Sequence, residues 1–167
     1  MVSSAAGRTE ADIRGALAAV TDPELPFLSI VDLGIVGELE VGPGRIRVEL
    51  LPTFVGCPAL ELIRSTVAER LLALAPGADI RVEISFTPPW TSDRISAEGR
   101  RQLRLHGFAP PERLGQATAP MALLRRVPCP HCGSRRTELE NIFGSTLCRA
   151  IHHCSSCHQP FEQFKPI

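Results

Sequence analysis

Two Cys-x-x-Cys pairs stand near the C-terminus of the 167-residue sequence: Cys129–Cys132 in CPHCGS and Cys154–Cys157 in CSSC. Twenty-one residues, 133–153, separate them. A thiolate binds metal and a thiol does not; Zn²⁺ displaces the protons and forms strong metal–sulfur bonds. Each pair can chelate one edge of a tetrahedron, so four soft ligands on two short knuckles suit a structural zinc ribbon. Four protein ligands leave no open coordination position, which points away from catalysis. The same donors suit an iron–sulfur cluster or a rubredoxin-like iron. A redox-active dithiol is a third reading, although it more often uses one Cys-x-x-Cys in a βαβ setting.

Gly133 follows the first knuckle and can take the positive φ that turns backbone N–H groups toward the sulfurs. His158 holds the equivalent place in the second knuckle, where the turn is less favourable. Cys148 lies between the pairs and is an alternative metal ligand; its other reading is a small buried apolar residue beside Leu147. His152 and His153 read as polar surface residues or neighbours of the ligands, because four thiolates already suffice.

Outside the pairs, Cys57 in TFVGCPALELI precedes a proline that can open a helix. A sulfur at a helix N-terminus would feel the dipole and free N–H groups that stabilise a thiolate, so reactivity or metal contact is one reading. A buried cysteine at a strand–helix corner is the other. Asp22 and Glu24 in DPELP are either hard metal ligands or turn-formers, the commoner role of Asp-Pro. Asp32 has the same two readings, ligand or cap of a short turn, and Trp90, after two prolines, is a core plug or an exposed recognition aromatic, the core being the commoner place. No nucleophile–base pair and no Gly-rich phosphate loop appears, and no tyrosine is present.

These residues need elements to hold them. Thr9 with Asp12 makes a capping-box variant, and Ile13, Ala16, Leu17 and Val20 form one helical stripe. Residues 35–41 and 45–51 read as a hairpin about Gly42-Pro43-Gly44, with Ile46, Val48 and Leu50 on a buried face. Residues 58–75 carry a helical stripe of Leu60, Ile63, Val67 and Leu71. A third strand, 79–86, would turn Ile80, Val82, Ile84 and Phe86 inward. A last helix spans 92–105, with Gly107 just past its end. The expected architecture is α/β: a small mixed sheet packed by helices over residues 8–108, a Pro/Ala-rich linker over 109–126 with a short helix about 121–125, and a zinc-ribbon-like module over 127–167. The module is too small for a good apolar core, so a metal must hold it; Phe161 and Phe164 most simply pack over the knuckles, the alternative being a partner-docking tail.

Lys+Arg 18 against Asp+Glu 18 gives zero net charge, which argues against nucleic acid or an acidic membrane as partner. The absence of an apolar run of about 18 residues and of a secretory h-region gives an expectation of the cytoplasm, whose reducing thiol pool favours metal over disulfide for paired cysteines.

The segments DPELPFLSIVDLG, TFVGCPALELI and PPWTSDRISAEGRRQLRLHGFAPP resemble the domain shared by iron–sulfur assembly and targeting factors, including the bacterial SufT proteins. The tail CPHCGS…FGSTLCRAIHHCSSCHQPFEQFKPI is similar to the C-terminal extension of PaaD-type proteins of aerobic phenylacetate degradation. Domain and tail together are specific to that branch. The resemblance implies a non-catalytic accessory factor that helps mature a metal centre of the phenylacetyl-CoA epoxygenase. The clients would be the iron–sulfur cluster of its reductase component and the di-iron centre of its oxygenase component. It further implies that Cys57 is the domain's characteristic cysteine, with Asp22 and Glu24 as the acidic loop beside it, contacting iron or a cluster. Partners would be the oxygenase and reductase components and the iron–sulfur assembly machinery; a homodimer stays open. Two rivals are a structural subunit that transfers nothing and an iron-containing electron-transfer component.

Overall fold

The computed structural model describes residues 8–113 and 126–167. The expected helix about 121–125, and most of the expected linker, lie outside them. The chain forms two compact units that meet in sequence between Trp90 and Thr91.

The first unit opens with α1, Glu10–Ala18. The expected capping box is complete: Thr9 Oγ1 accepts from the Asp12 N–H at 3.2 Å, and Asp12 Oδ2 accepts from the Thr9 N–H at 2.8 Å. The stripe residues Ile13 and Leu17 are fully buried. The proline-rich segment that follows folds into a two-stranded antiparallel ribbon, β1 (Thr21–Asp22) and β2 (Leu25–Ser29). Its alternative, a continued helix, is blocked by Pro23 and Pro26.

The hairpin forms as expected, from β3 (Val36–Gly42) and β4 (Arg45–Leu50), with Gly42 opposite Arg45 and Gly44 at φ 70° in the turn. A parallel partner, β5 (Asp79–Ile84), completes a three-stranded sheet in the order β3-β4-β5. The crossover is α2, Leu60–Leu74, which buries Ile63, Val67 and Leu71 and packs on α1 and β5. Each such side chain contributes about 1.5–3 kcal/mol when fully buried, as do Ile46, Val48 and Leu50 on the other layer. Trp90 is buried as expected, its indole Nε1–H donating to the Leu33 carbonyl at 3.1 Å.

Phe86 corrects the reading of the third strand. The strand ends at Ile84, and Phe86 is 52 % exposed. β5 is an edge strand, so its Ile80, Val82 and Ile84 are only half-buried.

The second unit begins earlier than the expected boundary at residue 108. A 3₁₀ turn, Ser92–Arg94, leads to α3, Ala97–Leu105, capped by Ser96 Oγ, which accepts from the Gly99 N–H at 2.9 Å. Gly107, at φ 81°, stops the helix. The chain then enters β6, Phe108–Ala109, which pairs parallel with β9, Pro160–Phe164. With β8 (Arg149–Cys154) and β7 (Thr137–Asn141) the order is β6-β9-β8-β7. The last residue closes on the first turn: the Ser92 N–H donates to the Ile167 carbonyl at 2.9 Å. The helix expected to end the first domain therefore belongs to the second unit, as does β6, which was not expected.

Candidate metal centre

The two knuckles are near-equivalent halves. The Gly133 N–H donates to the Cys129 carbonyl at 2.8 Å, and the His158 N–H donates to the Cys154 carbonyl at 2.8 Å. The Cys129 N–H donates to the Ser134 carbonyl at 2.9 Å, and the Cys154 N–H to the Gln159 carbonyl at 3.1 Å. Both residues that follow the second cysteine are left-handed, Gly133 at φ 74° and His158 at φ 58°. The geometry demanded at Gly133 is thus imposed on His158 as well, at about 1–2 kcal/mol for a side-chain-bearing residue. Ser134 Oγ and Ser156 Oγ lie 2.8 Å apart and tie one knuckle to the other.

All four sulfurs lie within 4.8 Å of one another. Cys129 Sγ is 3.7 Å from Cys157 Sγ, and Cys132 Sγ is 3.6 Å from Cys154 Sγ. A tetrahedron with Zn–S bonds of about 2.3 Å has edges of about 3.8 Å. The donor set therefore fits Zn²⁺, closed by four protein ligands. Cys129 and Cys154 are buried in a small cluster with Ala109, Val127 and Phe161, whereas Cys132 is exposed. The expected packing of Phe161 over the knuckles is observed, and Phe164 is also buried.

Without a cation, four thiolates cannot share this space. Cys154 is brought down to about 6, first by the Cys157 backbone N–H and, after a counteracting effect of burial, by the Ser156 N–H and the neighbouring thiols. Cys157 is pushed up to about 12: the Gln159 N–H lowers it, but burial and the other three sulfurs raise it further. Cys132 is also raised, against the lowering effect of the Ser134 N–H, by burial and by Cys154 and Cys129. A divalent cation at the centre removes that conflict.

Cys148 is not in the four-sulfur group; its Sγ lies 3.1 Å from Thr146 Oγ1. Of the two places expected for His152, the surface or beside the ligands, it takes neither the surface nor a ligand position but packs on Phe161 of the knuckle cluster. It is 1 % exposed, stacks on Phe161 with ring centroids 5.5 Å apart, and places Nε2 2.8 Å from Gln163 Oε1. A sequence read from spacing alone has no signal for this pair, because His152 and Gln163 meet across the β8–β9 ladder.

In the first unit, Asp22 is a turn residue: its Oδ1 accepts from the Glu24 N–H at 2.7 Å. Asp32 Oδ2 accepts from Ser29 Oγ at 2.8 Å, and it is Ser29 Oγ that accepts from the Asp32 N–H and caps the turn. Cys57 is half-buried and lies before α2 rather than inside its first turn. The regular helix starts at Leu60, and Cys57 heads a tighter turn in which the Leu60 N–H donates to its carbonyl at 3.2 Å. The helix dipole falls off within one turn, so it acts on Cys57 less than the sequence suggested. The adjoining Val55 is 75 % exposed. Among the described residues the four cysteines are the group of three or more Cys, His, Asp or Glu donors close enough to share an ion; Cys57, Asp22 and Glu24 do not form one.

Comparison with known proteins covers both units. An iron–sulfur cluster assembly protein model matches residues 10–84, and a PaaD zinc beta ribbon domain model matches residues 116–165. Over 157 residues the chain is 35% identical to a candidate component of the 1,2-phenylacetyl-CoA epoxidase of Escherichia coli K12, spanning 93% of this chain and 92% of that protein. It is 37% identical over 86 residues to the Fe-S protein maturation auxiliary factor YitW of Bacillus subtilis 168, spanning 51% of this chain and 83% of the relative. A DUF59 domain of unknown function from Bacillus anthracis matches in structure with a TM-score of 0.53 at 31% identity, covering 56% of this chain and 90% of that one. A conserved hypothetical protein from Thermotoga maritima matches with a TM-score of 0.51 at 31% identity, covering 62% and 98%. These matches bear out the expected mixed α/β fold with a C-terminal four-cysteine module. The chain belongs to the PaaD-type family, in which an iron–sulfur cluster assembly domain is joined to a PaaD zinc β-ribbon.

Proposed function

We propose that this chain is a non-catalytic accessory factor of phenylacetate degradation that helps install the iron–sulfur or di-iron centre of 1,2-phenylacetyl-CoA epoxidase. The observation that carries the reading is the joining of the two modules in one chain that is similar, nearly end to end, to a candidate component of that epoxidase. The likeness of the first unit to Fe-S maturation auxiliary factors supports handling of iron or a cluster as cargo.

In this account Cys129, Cys132, Cys154 and Cys157 hold a structural Zn²⁺ and Cys148 stays outside the site. The ribbon docks the oxygenase or reductase component, and Cys57 in the first unit contacts the cargo, with Asp22 and Glu24 shaping the neighbouring loop. The exposed Val55 beside Cys57 supports contact with a client surface there. The work is done in the cytoplasm, with the iron–sulfur assembly machinery as donor.

The test is to purify the epoxidase components from cells with and without this chain and measure their iron. The reading expects iron-deficient components without the chain and recovery when it is supplied. Fully metallated components from cells lacking the chain would overturn it. Stoichiometric retention of the chain in the active complex, with normal iron in its absence, would favour a structural subunit instead.

A further inference from the structure

The second unit carries a cleft of about 470 Å³ beside the metal centre, with Cys129 and Gly133 of the first knuckle in its lining. One wall is a face of α3, where Arg100 and Arg104 are one helical turn apart. Arg113 projects from the segment after β6, and Pro110, Pro111 and Pro130 supply rigid apolar surface.

The charge in this cleft is unbalanced. The Arg100 side chain is 12 % exposed, and its donors go to backbone carbonyls: Nε to Ile95 at 3.3 Å, Nη2 to Ser92 at 2.7 Å and Nη1 to Pro111. Carbonyls satisfy its hydrogen bonds without neutralising its charge, and the Asp93 carboxylate is 3.9 Å away. Arg104 and Arg113 have no ion-pair or side-chain hydrogen-bond partner among the described residues. The cleft's own acid, Glu112, lies 3.9 Å from Arg135. Burial, and then the charges of Arg113 and Arg104, pull Arg100 below the usual guanidinium range, although Asp93 opposes them.

We infer that this cleft binds an oxyanion, a phosphate or carboxylate group carried on a small organic ligand whose apolar part lies against the prolines. Guanidinium forks match both groups bidentately, and the volume suits a small ligand. Gly133 lines the same cleft, and a Cβ there would meet nothing within 4 Å, so the floor beside the first knuckle is open.

The test uses the full-length zinc-loaded protein, titrated with phenyl phosphate, benzoate and benzyl alcohol while the backbone amide spectrum is recorded. Saturable shifts at Arg104, Arg113 and Gly133 are expected, with a Kd of about 1 mM or tighter for at least one anion. Binding should weaken with added salt and fall about tenfold in R104A/R113A, with partial recovery in R104K/R113K. Zinc content checks that each variant is folded. Tighter binding of phenyl phosphate assigns a phosphate ligand, and tighter binding of benzoate assigns a carboxylate. No saturable shift with either anion, equal binding of benzyl alcohol, or undiminished binding by R104A/R113A would overturn the inference.

Discussion

Replacing Gly133 by alanine isolates the conformational demand of the metal knuckle. Gly133 sits at φ 74°, and a Cβ built there has no atom within 4 Å, so the substitution introduces backbone strain without a clash. An L-residue in this region costs about 1–2 kcal/mol, which is about a five- to thirtyfold change in an equilibrium constant. The strain is imposed by the closed knuckle, in which the Gly133 N–H donates to the Cys129 carbonyl, and is relieved when the metal leaves and the turn relaxes. It should therefore appear as weaker zinc affinity at unchanged stoichiometry, read by competition with a chromogenic chelator. The opposite knuckle provides the control. His158 already carries the strain at φ 58°, so His158→Gly should tighten zinc; the chain entropy of glycine, about 0.5–1 kcal/mol, reduces the effect of both substitutions alike. Unchanged affinity in Gly133→Ala, or weaker binding in His158→Gly, would refute the equivalence of the two turns.

Two further outcomes follow from the second unit. Zinc affinity should rise with pH, because Cys157 at about 12 and the raised Cys132 hold protons that the metal must displace. Cys154, at about 6, stops competing above that pH, so log affinity should climb about one proton less steeply above pH 6 than below it; a flat profile would contradict the thiolate site. Glu162→Gln should destabilise the zinc-loaded unit by about 2 kcal/mol at neutral pH, less than the cost of stranding a fully buried charge. Its carboxylate lies 3.1 Å from the Arg149 guanidinium, whose side chain is 7 % exposed, and accepts from the Ser145 N–H at 2.7 Å. Burial raises the Glu162 carboxyl, but the Ser145 and Arg149 bonds leave it lowered overall. A lowered carboxyl stabilises fully above the unfolded value of about 4.3 and loses that contribution as pH falls through its folded value. Denaturant titrations of the two proteins should therefore converge in acid; a gap that persists there would sink this assignment.

The elements that the sequence announced are those set by short-range chemistry. The Thr9–Asp12 box, the Pro43-Gly44 turn and the two knuckles depend on residues a few positions apart, and each forms as expected. Long-range pairing was not readable. The pattern of α3 shows which side of the helix is apolar but not which sheet receives it, so nothing local revealed that α3 and β6 join the ribbon. The two-residue β6 is too short to carry a period, and its pairing with β9 spans more than fifty residues of sequence. Phe86 continues the alternation of β5, but the strand runs out before it. The αL turn at His158 was legible only by analogy with Gly133, because the cysteine spacing, and not the residue type, dictates the backbone there. The arginine cleft was invisible because Arg100, Arg104 and Arg113 come together only once the chain has turned at Gly107.

In the function proposed above, Cys57 handles metal for a client while the four-cysteine site holds the fold. Iron in the epoxidase components purified from cells whose sole copy of this chain carries Cys57→Ser tests it most directly. The Cys57→Ser chain should keep its zinc, and the components should be iron-deficient. Components with their full iron, made alongside a zinc-loaded Cys57→Ser chain, would contradict it.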